Sequence, residues 1–231
     1  MQNNVENILD GAHIKRVSHD GHLHRWKSWE AKTPFAPIFD APLWLDDIPE
    51  DLIDDITNAI VENDLGLYKK IWKEYNIFKW EYPVFDKLKE CIWDIYCKYM
   101  DALELPREDK DNLWIKGWAV VLQVGEEVPR HCHSYHENSY LGGNLSLCKD
   151  TVTHYLIPHL SPYYGSWKGE NVPGRVTMFP AWMEHYVEPV LETRYSLGFD
   201  LYSKETMDYI KNNRIEGDFD QDTILQSVPF A

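Results

Sequence analysis

Histidines are concentrated in one short stretch of the chain, GEEVPRHCHSYHENSYLGG, at residues 125–143. Three of the ten histidines, His131, His133 and His136, fall within six residues there, and Glu137 follows at once. Neutral imidazole nitrogens and carboxylate oxygens are donors that first-row transition metals take from proteins. The composition of the stretch therefore predicts a metal site.

The spacing of two of these histidines favours a shared target. His131 and His133 are two positions apart, so on a strand both side chains project to the same face. We expect a strand over residues 113–124 to lead into this pair, near the mouth of a barrel. The natural third ligand is His185, which follows a predicted strand at residues 175–179 and a proline turn. The candidate metal ligands are therefore these three histidines.

The remaining histidines have weaker positions. His136 does not share the face of the pair on a regular strand. His154 and His159 flank a predicted strand and are expected to be surface residues. A second His-x-His pair, His22 and His24, has no matching downstream element. We predict that none of these five is a ligand.

The elements that must position the site change type near residue 112. Before it, apolar residues recur at helical spacing, which predicts helices at residues 46–64 and 83–99. After it, short apolar runs between Gly, Pro, Ser and Asn indicate strands. We place strands at 113–124, 140–148, 153–157, 175–179 and 195–202, with two earlier strands at 13–17 and 22–26 and a helix at 204–211. Strands without crossover helices are typical of an antiparallel sandwich or barrel. The predicted fold class is α+β.

The length of 231 residues fits a single domain. We expect residues 1–111 to form a helical and extended part that supports the barrel, and residues 112–202 to form the barrel core. Residues 203–231 are predicted to be a C-terminal helix and an acidic surface tail.

Bulk composition excludes several classes of partner. The formal net charge of −15 would repel a phosphate backbone, so no nucleic acid partner is expected. No apolar run approaches the length of a membrane span, and no secretory signal is recognised. Four cysteines without Cys-x-x-Cys spacing predict a reduced, cytoplasmic protein. A small-molecule or peptide substrate remains, and the oligomeric state is left open.

The segment GRVTMFPAWMEHYVEPVLETRYSLGFDL, residues 174–201, resembles the closing half of the double-stranded β-helix in iron(II)/2-oxoglutarate-dependent oxygenases. In that family a turn after Phe-Pro carries the distal metal-binding histidine, and an Arg-x-Ser strand anchors the cosubstrate. The matching residues are Gly174, Phe179, Pro180, His185, Arg194 and Ser196. The upstream RHCHSYHENSYLGGNLSL resembles the corresponding stretch of small oxygenases of phage and marine bacteria. The resemblance covers residues 112–202.

This resemblance implies a double-stranded β-helix fold and a dioxygenase that uses iron(II) and 2-oxoglutarate. Such an enzyme hydroxylates a substrate C–H bond and forms succinate and CO2. It implies cosubstrate binding by Arg194 and Ser196. From their positions near the predicted barrel mouth, we further predict Asn144 and Tyr155 as cosubstrate contacts and Trp182 and Tyr140 as residues of the substrate pocket.

The sequence departs from the family at one ligand. The usual set is two histidines and one carboxylate, whereas position 133 is a histidine. Two alternatives stay open: three histidines, or Glu137 as the anionic ligand. The stretch also resembles the first cupin motif, through Gly125, His131, His133, Glu137 and Gly143. A cupin would share the fold but use no 2-oxoglutarate, and a non-enzymatic binding module is the third hypothesis.

Overall fold

The structure is a computed structural model. It describes residues 14–19, 22–28, 32–35, 38–63, 74–133, 140–149, 151–157 and 166–231. The predictions made for His136, Glu137 and His159 lie outside the described residues.

The described chain forms twelve strands, four α-helices and two short 3-10 turns. The strands are β1 (Ile14–His19), β2 (Leu23–Ser28), β3 (Asp40–Asp47), β4 (Leu113–Leu122), β5 (Val128–His131), β6 (Leu141–Ser146), β7 (Thr151–Leu156), β8 (Ser166–Asn171), β9 (Arg175–Pro180), β10 (His185–Val187), β11 (Arg194–Ser203) and β12 (Val228–Pro229). The helices are α1 (Asp51–Glu62), α2 (Pro83–Ala102), α3 (Lys204–Asn212) and α4 (Phe219–Ile224). The 3-10 turns are Ile77–Lys79 and Lys110–Asn112.

The strands form two antiparallel sheets. The larger has the order β1-β2-β3-β9-β6-β11-β4-β12, and the smaller has the order β5-β10-β7-β8. From β4 to β11 the chain passes back and forth between the four-strand block β9-β6-β11-β4 and the smaller sheet. That winding is a double-stranded β-helix, so the predicted fold is confirmed. Among the described residues from β4 to β11, no helix intervenes.

Helix α2 covers one face of the larger sheet. Its apolar side chains recur every three or four residues, and the buried ones include Phe85, Leu88, Ile92 and Tyr96. They belong to one hydrophobic cluster with sheet residues such as Phe199. The opposite face of these strands is therefore the one left to form a site between the sheets.

The boundary of the first helix differs from the prediction of residues 46–64. Asp46 and Asp47 belong to β3, which pairs with β9 through Trp44 and Met178, and helix α1 begins only at Asp51. Strand β8 was also absent from the prediction. Its sequence SWKGEN is rich in residues that are depleted in strands, and its place depends on pairing with β7.

The path into the histidine pair also differs from the prediction. Strand β4 ends at Leu122, and a turn containing Gly125 at φ 84° sends the chain to the smaller sheet. A left-handed φ suits glycine, which has no Cβ to clash. The pair therefore lies at the end of β5, with His131 as its last residue, rather than at the end of β4.

The segment predicted as an acidic surface tail contains packed elements. The side chain of Asp218 caps helix α4 by accepting hydrogen bonds from two backbone amides. Ile224 and Phe230 are buried, and the Phe230 ring lies 5.6 Å from that of Trp93 on α2. None of the described helices is long and apolar enough to cross a membrane.

Candidate metal centre

Three histidines converge at one edge of the smaller sheet. Strands β5 and β10 are neighbours, and their register places His131 directly opposite His185. His133 lies just beyond β5, where its backbone N–H donates to the carbonyl of Ala181 at 2.8 Å. One ligand nitrogen from each histidine lies within 4.8 Å of the others. The structure thus brings together the three residues that the sequence predicted as ligands.

Two of the three rings are oriented by backbone carbonyls. His131 Nδ1 lies 2.8 Å from the carbonyl oxygen of Pro129, and His185 Nδ1 lies 3.0 Å from that of Met183. A carbonyl oxygen only accepts, so the proton of each neutral ring belongs on Nδ1. The Nε2 lone pair of each ring is then the one available to a metal ion.

The third ring is oriented by a carboxylate. His133 Nδ1 lies 2.5 Å from Oδ1 of Asp200 on β11, and both residues are buried. The hydroxyl of Tyr202 donates to the other oxygen, Oδ2, at 3.1 Å. Sequence reasoning missed Asp200, although it lies six residues after Arg194 and therefore on the same face of β11.

Burial disfavours the protonated form of His131 and His185. The pKa of His185 lies well below its usual value because the ring is desolvated, and the neighbouring imidazoles lower the pKa further. The pKa of His131 is lowered by the same two causes, desolvation first. Unprotonated imidazole is the form that binds metals. Three imidazole nitrogen donors fit a divalent first-row metal such as iron(II). Glu137 as a ligand stays a prediction.

The histidines line a cavity of about 400 Å³ between the two sheets. Its floor includes Arg194, Ser196 and Trp118 from the larger sheet. The Trp118 indole lies over Gly198, where an added Cβ would be 2.7 Å from the ring. The cavity therefore joins a histidine cluster and a buried guanidinium in one space.

Arg194 is buried, with 3% of its surface exposed. Its Nη1 donates to Oγ of Ser196 at 2.8 Å, and both side chains line the cavity. A surface ion pair with Glu188 or Glu192, which are near Arg194 in the sequence, does not suit a side chain at this depth.

Tyr155 and Asn144 lie beside the histidines. Tyr155 is opposite His185 in the pairing of β7 and β10, and its hydroxyl donates to Asn144 Oδ1 at 3.3 Å. Burial raises the pKa of the Tyr155 phenol, which is therefore neutral at physiological pH. Asn144 lines the cavity.

The two residues predicted for the substrate pocket lie elsewhere. The Tyr140 hydroxyl is 2.9 Å from that of Tyr96 on α2, and the ring packs against the helix-side core. Trp182 lies in the turn before β10 and is 39% exposed. Neither belongs to the residues that line the cavity.

Helix α4 supplies a cavity wall that sequence reasoning assigned to a surface tail. Asp220, Thr223 and Ile224 line the cavity on this side. No signal in the sequence identifies them, because their position depends on how the C-terminal segment folds back over β11 and β4.

The other described histidines are separate from the cluster. His154 is buried rather than at the surface as predicted, and its ring stacks on Tyr186 with centroids 4.5 Å apart. His22 Nδ1 lies 2.7 Å from the carbonyl oxygen of Leu45. Among the described residues, the group of three that could hold a metal is His131, His133 and His185.

Comparisons with known proteins agree with this architecture. No protein-family model matches the chain, and no curated protein matches it in sequence. A prolyl-4-hydroxylase from Pseudomonas putida is similar in structure, with a TM-score of 0.54, 14% identity, and coverage of 70% of this chain and 85% of that chain. At such identities the likeness concerns the fold.

Two further solved structures share the fold. A prolyl hydroxylase from Trichoplax adhaerens, in complex with a peptide fragment of the hypoxia inducible factor oxygen degradation domain, has a TM-score of 0.52, 10% identity, and coverage of 71% and 84%. HygX from Streptomyces hygroscopicus, with nickel and 2-oxoglutarate bound, has a TM-score of 0.50, 11% identity, and coverage of 70% and 81%.

Proposed function

We propose that this protein is an iron(II)- and 2-oxoglutarate-dependent oxygenase that hydroxylates a C–H bond of a small-molecule or peptide substrate. The observation that carries the proposal is one cavity that holds three convergent histidines together with the buried Arg194–Ser196 pair. The fold shared with HygX and the prolyl hydroxylases supports it.

His131, His133 and His185 would hold the iron through their Nε2 atoms. Because each Nδ1 already has an acceptor, the rings are fixed in orientation before a metal arrives. When bound together, iron(II) and 2-oxoglutarate supply the oxidising chemistry, in which dioxygen is consumed, succinate and CO2 form, and the substrate is hydroxylated. Three protein ligands leave positions open for that purpose.

Arg194 would bind the distal carboxylate of 2-oxoglutarate. A planar guanidinium presents two parallel N–H groups that match a carboxylate, and the interaction strengthens away from water. Ser196 holds the guanidinium in place by accepting its Nη1–H, and its own hydroxyl donates to the carbonyl oxygen of Val120 at 3.3 Å. This pair would therefore select a cosubstrate with a second carboxylate.

The rest of the cavity would position the substrate and limit the access of water. Apolar groups from Trp118, Val120, Val128 and Val187 line it beside the histidines. The volume of about 400 Å³ lies within the range of roughly 300–1,000 Å³ that is usual for small-molecule sites. A substrate larger than this would place only one side chain or terminus in the cavity.

The proposal is tested by adding iron(II) and 2-oxoglutarate without oxygen and recording the visible spectrum. We expect the weak charge-transfer band of a 2-oxoacid chelated to iron(II). Metal uptake without the band would contradict the oxygenase and favour a cupin-type metalloprotein. A protein that takes up no metal would instead be a binding module.

A variant pair locates the cosubstrate. Arg194→Ala is expected to abolish 2-oxoglutarate binding and leave iron affinity nearly intact. The matched control is Arg175→Ala on β9, which removes a partly exposed arginine that is paired with Asp47 outside the cavity and should leave the band unchanged. An equal loss of iron in Arg194→Ala would show that the role assigned to Arg194 is wrong.

A further inference from the structure

We propose that Asp200 is a positioning residue that gives the metal centre its negative charge through His133. The inference rests on the proposed metal site. Such a centre is expected to have one carboxylate that binds the metal directly. Here the carboxylate would instead accept a hydrogen bond from a histidine ligand.

The contact between the two residues differs from those of the other two ligands. His133 Nδ1 and Asp200 Oδ1 are 2.5 Å apart, whereas His131 and His185 each have a backbone carbonyl at 2.8–3.0 Å. A short hydrogen bond to an ionised acceptor is stronger than a neutral one. Of the three rings, His133 is thus the one held by a charged group.

The surroundings are built to hold this pair. Gly142 lies opposite Asp200 in the pairing of β6 and β11, and a Cβ at Gly142 would be 2.8 Å from His133 Nδ1. Tyr202 donates to the second oxygen of Asp200, and the backbone of His133 is tied to Ala181. The space for the ring, the acceptor and the orientation of the acceptor are therefore all fixed by neighbouring strands.

The electrostatic consequence follows from the donor set. Three imidazoles are neutral, so they offset none of the two positive charges of iron(II). A carboxylate that accepts the outer N–H of a metal-binding histidine raises the basicity of the ring and fixes its tautomer. When position 133 is an aspartate or glutamate, its carboxylate supplies the negative charge directly to the metal. In this protein Asp200 would supply that negative charge through the His133 ring.

The first experiment measures the affinity of the purified protein for cobalt(II), a spectroscopic substitute for iron(II). Asp200→Asn retains an oxygen acceptor but removes the charge, and we expect affinity to fall about 10–100-fold, with altered visible bands of the bound ion. Tyr202→Phe, which keeps the carboxylate and loses one hydrogen bond to it, should lower affinity only about 2–5-fold. Circular dichroism and thermal melting check that each variant is folded.

A matched control separates the hydrogen bond from the general charge of the protein. Glu192→Gln removes one charge from an exposed side chain that does not line the cavity. We expect its cobalt(II) affinity to stay within about 2-fold of the unaltered protein, because charge that acts through solvent is weakly coupled. An effect as large as that of Asp200→Asn would overturn the role of the His133 contact.

The second experiment tests whether Asp200 acts through the His133 ring. His133→Asp keeps a ligand at this position but removes the imidazole that Asp200 contacts. In that background Asp200→Asn should change cobalt(II) affinity by less than about 3-fold, because the coupling between the two positions is lost. An equal loss of affinity in both backgrounds would show that Asp200 acts without His133, and that result would overturn the inference.

The outcomes distinguish this inference from the proposed function. Cobalt(II) binding that is insensitive to Asp200→Asn would refute the role of Asp200 and leave the oxygenase standing. The expected sensitivity, without a 2-oxoglutarate band, would refute the oxygenase and leave the role of Asp200 standing. A protein that binds no cobalt(II) would refute both.

Discussion

The two faces of the larger sheet differ in chemistry although the same strands form them. The residues of β4 and β11 that pack towards α2 are Ile115, Ala119, Leu197, Phe199 and Leu201. The residues of these strands that line the cavity include Trp118, Val120, Arg194, Ser196 and Asp200. One face is aliphatic and aromatic throughout, and the other carries the charged and polar groups.

The face towards α2 therefore stabilises the fold, and the cavity face provides the binding groups. Burial of apolar area against α2 stabilises the fold by roughly 25 cal/mol per Å². A buried Arg194 or Asp200 contributes little net stability, since desolvation offsets its interactions. The polar face therefore serves binding. We expect substitutions on the face towards α2 to lower the free energy of unfolding, and substitutions on the cavity face to lower ligand affinity.

The largest effect is expected on the helix-side face. Phe199→Ala removes a fully buried ring that packs beneath α2. We expect the free energy of unfolding to fall by about 3–5 kcal/mol, measured by urea denaturation. Cobalt(II) affinity of the folded protein should be unchanged. A parallel loss of metal affinity would mean that the two faces are not independent.

Two glycine substitutions sharpen the comparison. A Cβ at Gly143 would overlap the Phe199 ring, within the packed core. A Cβ at Gly198 would meet the Trp118 indole, which borders the cavity. Gly143→Ala should cost about 1–3 kcal/mol of unfolding free energy.

Gly198→Ala should cost less stability and weaken 2-oxoglutarate binding, measured by titration of the visible band. The comparison fails if Gly143→Ala is the variant that loses the cosubstrate while Gly198→Ala binds it normally.

Tyr140→Phe tests whether Tyr140 acts in the core beside α2 or in the substrate pocket. The substitution removes the hydroxyl contact with Tyr96 and preserves the ring packing. We expect a loss of about 1 kcal/mol in unfolding free energy and an unaltered dissociation constant for 2-oxoglutarate. A changed dissociation constant with normal stability would return Tyr140 to the substrate pocket.

The smallest effect is expected at Tyr155. Tyr155→Phe removes a long hydrogen bond, 3.3 Å, to Asn144 beside the histidines. We expect 2-oxoglutarate affinity to fall about 2–3-fold, equivalent to roughly 0.5 kcal/mol. Calorimetric titration of the iron(II) protein would detect it, and unchanged affinity would remove Tyr155 and Asn144 from the cosubstrate site.

Much of the site was predictable because its signals are local. His131 and His133 share a direction through their spacing, and Arg194 and Ser196 do so within one strand. The Tyr140 side chain does not follow this alternation of side-chain direction. Continuing the alternation of β6 backwards would place it on the cavity face, but β6 begins at Leu141 and the Tyr140 side chain turns to α2.

Other features depended on contacts between distant segments. The place of β8 depends on its ladder with β7, and the α4 wall depends on the packing of the C-terminal segment over the sheets. Neither SWKGEN nor the acidic residues near 220 carry a periodic apolar pattern. Their own sequence therefore favours exposed loop, and tertiary packing overrides that preference.

The sequence by itself determined which donors are available and that the paired ones point together, because side-chain direction within a strand alternates by a fixed rule. Only the tertiary structure decided which nitrogen of each ring faces the centre and which group stands behind it. His133 and Asp200 are 67 positions apart, and their contact depends on the register of strands in two different sheets. Register is fixed by the packing of the whole domain, which no short stretch of residues contains.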